Sequence, residues 1–271
     1  MLPVDPRSDA VSLAAVRRLP LVSAVTAVHN AERYVRMAVD SMLRQTFTDF
    51  EYVVIDDGSS DRTSTILHEL AVDPRVVVIS QPQMGIARSL NKGTSLARGT
   101  YIARQDGDDI SAPDRLAKQV EFLDRHPDFA AIGSAVRWID EYGSLIDETD
   151  FPEEDEEIRG EVLSSLCFIH GSLVIRRAAL EAIGGYRPEF PISSDYDLYL
   201  RLLERFKIAN LPEFLYYYRA HDKNHSRSMP ELTQHYIEIA RKFAEQRRET
   251  GRDLLMLGGK PTLSGVTPWR P

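Results

Sequence analysis

The chain has 271 residues, 43% of them hydrophobic and 27% charged, which is enough apolar material for one large domain or two small ones and excludes a disordered protein. Its 41 acidic and 33 basic side chains give a formal net charge of −8. A negative net charge disfavours binding to a phosphate backbone, so we expect no nucleic-acid partner. The single cysteine, Cys167, excludes an internal disulfide and any metal cluster built on several thiolates.

Strand and helix patterns alternate through the first hundred residues. The β-branched run at 22–28 predicts a strand, and Asn30 stands where an N-cap is expected before the helical pattern that follows. Two more strand–helix units follow, with strands at 51–56 and 76–80 and helices near 62–70 and 86–98. Three such units predict a parallel sheet with right-handed crossovers, which binds ligands beyond the carboxyl ends of its strands.

The strand–helix alternation does not continue through the rest of the chain. A fourth strand at 101–106 ends in an acidic turn, and Pro113 opens the next helix. Beyond residue 129 the parallel pattern stops, and the sequence predicts a strand at 129–140, an acidic loop at 153–157, an apolar run at 167–175, a helix at 195–206, an extended segment at 214–219, a helix at 231–249 and a loose tail at 251–271. We expect an α/β protein with a C-terminal helical extension.

Targeting and membrane signals are missing from the sequence. No apolar run approaches the roughly 20 residues that cross a bilayer, and the first twenty residues lack the apolar stretch of a signal peptide. We therefore expect a cytoplasmic protein. Peripheral contact with the inner face of the membrane stays open, because an enzyme can work at a surface that it does not cross.

Three carboxylates lie within four residues at the end of the predicted fourth strand. Asp106, Asp108 and Asp109 repel one another, and a divalent cation would relieve this because hard oxygen ligands suit Mg²⁺ and Mn²⁺. A solvated turn, in which Asp and Gly serve the turn geometry, explains the same residues. The residues alone leave both interpretations open.

A second acidic strand end is predicted to face the same crevice. Asp56 and Asp57 follow the strand at 51–56, and a carboxylate at an exposed strand exit, such as Asp57, can accept hydrogen bonds from a base or a ribose. An Asx-turn and helix cap explains the residues that come next, Ser59, Ser60 and Asp61.

Asp195 and Asp197 stand at the start of a predicted helix. Ser194 and Asp197 have the spacing of a capping box, which makes Asp197 a structural residue. Asp195 suits either the first turn of the helix, where the dipole favours a carboxylate, or a cleft in which it acts as a general base. Spacing alone favours capping.

Three histidines stand beside predicted strands, namely His29, His170 and His221. A single histidine is more often a hydrogen-bonded packing residue than a ligand. His221 ends the aromatic run LYYYRAH and is the strongest of the three candidates for an additional metal or phosphate contact.

Six segments, in this order, resemble family 2 of the glycosyltransferases over roughly residues 20–228. They are VSAVTAVHNAERYV, QTFTDFEYVVIDDGSSDRT, GIARSLNKGTSLARGTYIARQDGDDISAPDRLAKQVEFL, IHGSLVIRRAALEAIGGYRPEF, SSDYDLYLRL and LYYYRAH. The resemblance implies a GT-A fold, in which a mostly parallel central sheet is flanked by helices. It divides the chain into a tail at 1–19, a nucleotide-binding half at 20–110, an acceptor half at 111–228, and a C-terminal helix with a loose tail at 229–271.

The resemblance also implies roles for individual residues. Asp57 takes the place of the carboxylate that contacts the base, and the nucleotide-sugar site is completed by Ala27, His29, Arg88, Asp106 and Asp108. The acidic metal motif falls on QDGDD, with Asp108 as the first candidate for a direct ligand and Asp109 and His221 beside it. Asp195 takes the place of the catalytic base, and Ser194 stands where the family commonly has glutamate.

The function implied is an inverting transfer of sugar from a UDP-, GDP- or dTDP-linked donor to a glycan or lipid-linked acceptor, with Mn²⁺ or Mg²⁺, in the synthesis of polysaccharide, O-antigen or another surface glycan. A dinucleotide-dependent oxidoreductase needs a glycine-rich turn after the first strand, and VHNAERY has no glycine. A non-catalytic nucleotide-sugar-binding protein of the same fold is the alternative, against which the retained acidic turns and Asp195 argue. An aspartate of ordinary pKa is a weak base, so we expect Asp195 to act late in the transfer.

Overall fold

The computed structural model describes residues 19–222, 224 and 229–261. In chain order its elements are β1 (Val22–Val28), α1 (Val35–Leu43), β2 (Phe50–Asp57), α2 (Thr63–Leu70), β3 (Val76–Gln81), α3 (Ile86–Leu96), β4 (Tyr101–Arg104), β5 (Ile110–Ser111), α4 (Arg115–Arg125), β6 (Phe129–Ile139), β7 (Leu145–Thr149), α5 (Asp155–Glu161), a 3₁₀ turn (His170–Ser172), β8 (Val174–Arg176), α6 (Arg177–Ala182), α7 (Ser194–Leu203), β9 (Lys207–Arg219) and α8 (Pro230–Thr250). The predicted strand–helix alternation of the first hundred residues is confirmed.

The strands belong to one mixed sheet of order β3-β2-β1-β4-β8-β6-β9-β5, with β7 paired to β6. The first four neighbours, β3, β2, β1 and β4, are parallel, as the sequence predicts. Past β4 the pairs are antiparallel except for β6 with β9. The chain order reverses at β1, which lies between β2 and β4. In a doubly wound sheet the carboxyl ends of the strands at such a reversal border the ligand crevice.

Both faces of the parallel strands are covered, which explains their uninterrupted apolar runs. Every residue of β1 and β2 is buried. One face packs against α3, with α7 and α8 in the same apolar cluster, and the other packs against α1, α2 and α4. Because the central strands are locked on both sides, the loops at their carboxyl ends have fixed starting points.

The predicted N-cap at Asn30 is wrong. Helix α1 begins at Val35, and Asn30 has a left-handed backbone with φ of 53°. Its side-chain oxygen accepts a hydrogen bond from the backbone N–H of Ser60 at 2.8 Å instead. Asn tolerates this backbone region better than most residues, so Asn30 joins the loop after β1 to the loop after β2.

The predicted capping box at Ser194 and Asp197 is also wrong, although Asp197 is structural. Helix α7 starts at Ser194 without a side-chain cap. The Asp197 carboxylate is fully buried and pairs with Arg201 at 2.8 Å and with Arg187 at 3.4 Å. A buried carboxylate with two guanidinium partners fixes α7 against its neighbours, and removal of one partner of such a pair is strongly destabilising.

The beginning of the predicted loose tail is ordered by the same ion pairs. Asp253 is 1% exposed and lies 2.7 Å from Arg187 and 2.5 Å from Arg247 of α8. Arg187 therefore joins α7, α8 and the segment after α8. Residues 262–271 of the predicted tail lie outside the described residues.

A buried polar network lies beneath the carboxyl end of β4. Arg104 is fully buried and donates hydrogen bonds to Asp106 at 2.5 Å and to Nε2 of His170 at 3.3 Å. Tyr186 Oη lies 2.8 Å from the same imidazole nitrogen. A guanidinium only donates, so Nε2 of His170 must be unprotonated. Burial and the positive charge of Arg104 lower the pKa of His170 well below its ordinary value.

We expect Gly93→Ala to destabilise the protein although it lies inside a helix. A Cβ at Gly93 would stand 2.6 Å from Cγ1 of Val25, and overpacking of this kind costs about 1–3 kcal/mol. Alanine recovers only about 0.5–1 kcal/mol of helix propensity over glycine. Urea unfolding should therefore show a net loss. Gly160→Ala in α5, where a Cβ meets nothing within 4 Å, should be neutral or stabilising, and a gain at both positions would contradict the packing argument.

We expect His170 to make the protein sensitive to acid. Its folded pKa is lowered, so the unfolded chain binds the proton first and stability falls as pH drops below the unfolded value of about 6.5. Between pH 7.5 and 5.5 the wild-type protein should lose about 1.4 kcal/mol more free energy of unfolding than His170→Gln. The measurement is urea unfolding of both proteins across this range. Parallel pH profiles would mean that His170 is protonated equally easily in both states.

Candidate active site

Polar segments follow β1, β2 and β4 at one edge of the sheet. Because β1 pairs in parallel with both β2 and β4, the three strands end side by side, as the sequence predicts for the two acidic strand ends. Thr26 of β1 donates a hydrogen bond to the carbonyl of Gln105 at 2.7 Å. The acidic turn is thereby fixed next to the exit of β1.

Asp57 lies inside the fold rather than at an exposed strand exit. It is 5% exposed, and its carboxylate accepts hydrogen bonds from Gln81 at 2.7 Å and from the backbone N–H groups of Met84 and Gly85 at 2.8 Å. Burial raises the pKa of Asp57, but these hydrogen bonds outweigh burial and hold the pKa below its ordinary value. Asp57 therefore secures the loop that leads into α3.

The other residues assigned to the nucleotide surround the same loop. His29 is exposed, and its Nδ1 lies 2.9 Å from the carbonyl oxygen of Asp57. Ala27 is 9% exposed at the end of β1, and Arg88 is exposed in the first turn of α3. Gly85 precedes that helix with a φ of 90°, which favours glycine. The structure thus places His29 and Arg88 beside the loop that Asp57 holds, with Ala27 at the end of the neighbouring strand β1.

The acidic turn depends on close packing against β1. A Cβ at Gly107 would stand 2.3 Å from Cγ1 of Val28, so only glycine fits between the carboxylates of QDGDD. The three aspartates then point to different partners. Asp106 pairs with Arg104, Asp108 accepts from His221, and Asp109 turns inward. The turn is a built feature of the fold and not a solvated loop.

Asp108 and His221 are in direct contact. Oδ2 of Asp108 lies 2.8 Å from Nε2 of His221 and 3.3 Å from the amide nitrogen of Asn224. The side chains of Asp108 and His221 are 27% and 11% exposed. The loop after β9 thus places the imidazole of His221 against the loop after β4. Two of the three side chains predicted to bind metal, Asp108 and His221, are therefore in contact.

Asp109, the third proposed ligand, lies in the interior. It is 1% exposed, its Oδ1 accepts from the backbone N–H of Arg219 at 2.7 Å, and its Oδ2 meets no hydrogen-bond donor among the described residues. Burial, with the negative charges of Asp108 and Asp106, raises the pKa of Asp109 well above its ordinary value. Among the residues that the structure describes, no three histidine, cysteine, aspartate or glutamate side chains gather as a metal cage.

Arg219, at the end of β9, is a site residue that the sequence analysis missed. It is 1% exposed and donates from Nε to the carbonyl of Asp108 at 2.8 Å and from Nη1 to the carbonyl of Asp140 at 3.0 Å. Its guanidinium lies over the ring of Tyr34, 4.9 Å from the centroid. Arg219 therefore ties the acidic turn to the hairpin of β6 and β7. Its place beside His221 in LYYYRAH is the only signal in the sequence.

Asp195 lies in the first turn of α7 and near the Arg104–Asp106 pair. It is half-buried, and its Oδ1 accepts from the backbone N–H of Tyr196 at 2.9 Å. Burial raises the pKa of Asp195, and the negative charge of Asp106 raises it further. A raised pKa makes the carboxylate of Asp195 a stronger base than that of a solvated aspartate.

Comparisons with known proteins agree with this architecture. The profile of Glycosyl transferase family 2 matches residues 23–184. The chain is 35% identical over 203 residues to a putative glycosyltransferase, EpsE, of Bacillus subtilis, covering 73% of this chain and 72% of that protein. It is 32% identical over 218 residues to the O-antigen biosynthesis glycosyltransferase WbnJ of Escherichia coli, covering 79% and 85%.

Two solved structures share the fold at low identity. TarS 1–349 of S. aureus, in complex with UDP, superposes with a TM-score of 0.66 at 19% identity, covering 83% of this chain and 65% of that one. The mannosyltransferase PcManGT of Pyrobaculum calidifontis, in complex with GDP-Man and Mn²⁺, gives 0.62 at 18%, covering 86% and 65%. The chain thus spans about two thirds of each.

A mixed sheet with helices on both faces agrees with the predicted GT-A fold, which these solved structures share. None of the described helices is both long and apolar enough to cross a membrane. The chain belongs to glycosyl transferase family 2.

Proposed function

We propose that the chain transfers a sugar from a nucleoside-diphosphate sugar to a hydroxyl acceptor, with inversion at the anomeric carbon, in the synthesis of a surface glycan. The observation that carries the proposal is the proximity of Asp195, a carboxylate of raised pKa, to the acidic turn. Solved proteins of this fold are complexed with UDP, UDP-GlcNAc or GDP-Man, which supports a UDP-, GDP- or dTDP-linked donor.

The donor's nucleotide would occupy the opening between the exits of β1 and β2 and the start of α3. Asp57 holds the backbone of this opening through Met84 and Gly85. His29 and Arg88 are exposed there, and Arg88 offers a guanidinium for the diphosphate. This opening would lie beside the acidic turn, because only β1 stands between β2 and β4 in the sheet.

The side chains beside the turn fit a divalent cation. Asp108 and His221 offer a carboxylate and an imidazole, both partly exposed, and such donors suit Mn²⁺ or Mg²⁺. The described residues supply no third ligand of this kind in a cluster, which accords with ions that take their remaining ligands from substrate phosphates and water. The bound cation would neutralise the charge that grows on the departing diphosphate.

Asp195 would serve as the general base. The acceptor oxygen forms its bond to the anomeric carbon while the bond from that carbon to the diphosphate oxygen breaks, and the electron pair leaves with the diphosphate. The hydroxyl proton passes to the carboxylate of Asp195. Burial of Asp195 favours this step, because a raised pKa makes its carboxylate a stronger base.

The acceptor is a glycan or a lipid-linked glycan under this proposal. A lipid-linked acceptor would bring the chain to the inner face of the membrane. The single cysteine, Cys167, is buried and unpaired, which accords with action in the reducing cytoplasm.

Nucleotide binding should depend on a divalent cation through Asp108 and His221. Calorimetric titration of UDP and of GDP, with Mn²⁺ and again with a chelator, should show at least a tenfold loss of affinity without the metal for the nucleotide that binds. Asp108→Asn and His221→Ala should remove most of this difference, because each deletes one ligand. His68→Ala, which changes an exposed histidine of α2, is the matched control. Equal affinity with metal and with chelator would contradict the assignment.

Replacement of Asp195 by asparagine should lower the rate of sugar transfer without lowering the stability of the fold. Asparagine keeps an oxygen for the N–H of Tyr196 but cannot take a proton, so Asp195→Asn should retain its melting temperature and nucleotide affinity. Release of nucleoside diphosphate from the donor should fall by at least about a hundredfold. Asp61→Asn is the matched control, because Asp61 also accepts backbone N–H groups near a helix start, from Thr63 and Glu32. A wild-type rate in Asp195→Asn would show that another group acts as the base.

A further inference from the structure

We propose that Trp138 and Tyr218 form the platform on which an uncharged sugar ring of the acceptor stacks. This inference rests on the proposed function and names the acceptor subsite and its chemistry. The two residues face each other across the parallel pair of β6 and β9, in direct register. Both residues are half-buried, so each keeps part of its surface accessible to solvent.

The two rings form a rigid unit. Their centroids are 4.8 Å apart and the ring planes are inclined by 62°. The indole N–H of Trp138 donates to Oγ1 of Thr149 at 2.7 Å, which fixes the orientation of the ring. A fixed aromatic surface loses little conformational entropy when a flat apolar ligand face packs on it. The C–H face of a sugar ring is such a surface.

The platform is continuous with the candidate active site. Two residues before Tyr218, on the same face of β9, the hydroxyl of Tyr216 accepts from the backbone N–H of Asp106 at 3.1 Å. Trp138 and Tyr218 pack against the cluster formed by Val136, Phe151, Ile169 and Tyr216. Ile169 immediately precedes His170 of the buried network. A sugar on this platform would therefore lie on the face of β9 that leads through Tyr216 to Asp106, near the proposed base.

The charge around the platform indicates an uncharged ligand. Residues 140–157 contain ten aspartates and glutamates and no lysine or arginine. This segment includes β7, which pairs with β6 alongside Trp138. Asp147 and Asp150 are exposed and form no ion pair within the described part of the chain. Such carboxylates accept hydrogen bonds from sugar hydroxyls and repel a uronic acid or a phosphate.

The nucleobase of the donor is the competing ligand for an aromatic pair. We assign the base to the opening at Asp57 and His29, which is separated from the platform by β1, β4 and β8 in the sheet. Nucleotide affinity therefore distinguishes the two. A change at Trp138 should leave the binding of UDP and GDP intact if the platform receives the acceptor.

The test compares three variants by saturation-transfer NMR, with the protein saturated with Mn²⁺ and with UDP or GDP, whichever binds. The probes are the methyl glycosides of glucose, galactose, N-acetylglucosamine and N-acetylgalactosamine, with methyl glucuronoside as the anionic probe. Trp138→Ala should raise the Kd of the bound neutral glycoside at least tenfold, and Trp138→Phe should recover most of the affinity. Tyr142→Ala removes an aromatic ring that is 81% exposed in the turn between β6 and β7 and should change nothing.

The possible outcomes distinguish the platform, its preference for uncharged sugars and the proposed function. Unchanged glycoside affinity in Trp138→Ala, or no binding of any neutral glycoside by a wild-type protein that binds nucleotide, would overturn the platform. Equal or tighter binding of the glucuronoside would overturn its preference for uncharged sugars. Loss of nucleotide affinity in a Trp138→Ala protein of wild-type melting temperature would assign the rings to the donor. Failure of the wild-type protein to bind any nucleotide would instead count against the proposed function.

Discussion

The buried guanidinium of Arg104 is the interaction on which the rest of the site depends. It lies at the end of β4, fully buried, and donates to the carbonyls of Val25 and Gln105 as well as to Asp106 and His170. A buried cation without such partners would cost several kcal/mol. The middle of β1, the acidic turn and the 3₁₀ turn are therefore held around one buried charge.

A second arginine holds the rest of the acidic turn in place. Arg104 pairs with the first aspartate of QDGDD, and Arg219 holds the backbone of the second and, through its own N–H, the carboxylate of the third. Asp108 remains directed at His221. The parallel half of the sheet thus supplies the first arginine through β4, and the mixed half supplies the second through β9, which explains why both halves are needed to build one site.

The sequence predicts the scaffold well because strand periodicity and apolar runs are local signals. It predicts β1 to its ends and places the acidic turn after β4. The sequence does not predict the contacts of a side chain whose partner lies elsewhere along the chain. Asn30 bonds to the loop after β2, and Asp197 pairs with Arg187 instead of capping its helix. Arg219 reads as a surface residue because a buried arginine is recognisable only by the carbonyls that surround it.

The strength of the proposed base follows from the same buried charge. Asp195 is influenced by Asp106, which raises its pKa, and by Arg104, which lowers it. Arg104 and Asp106 are a contact pair, so their effects on a third group oppose each other and burial is the largest cause of the shift. The ion pair therefore limits how far the acidic motif raises the pKa of the proposed base. Loss of Arg104 would remove the positive charge that lowers the pKa of both Asp106 and Asp195, and the pKa of each carboxyl would rise further.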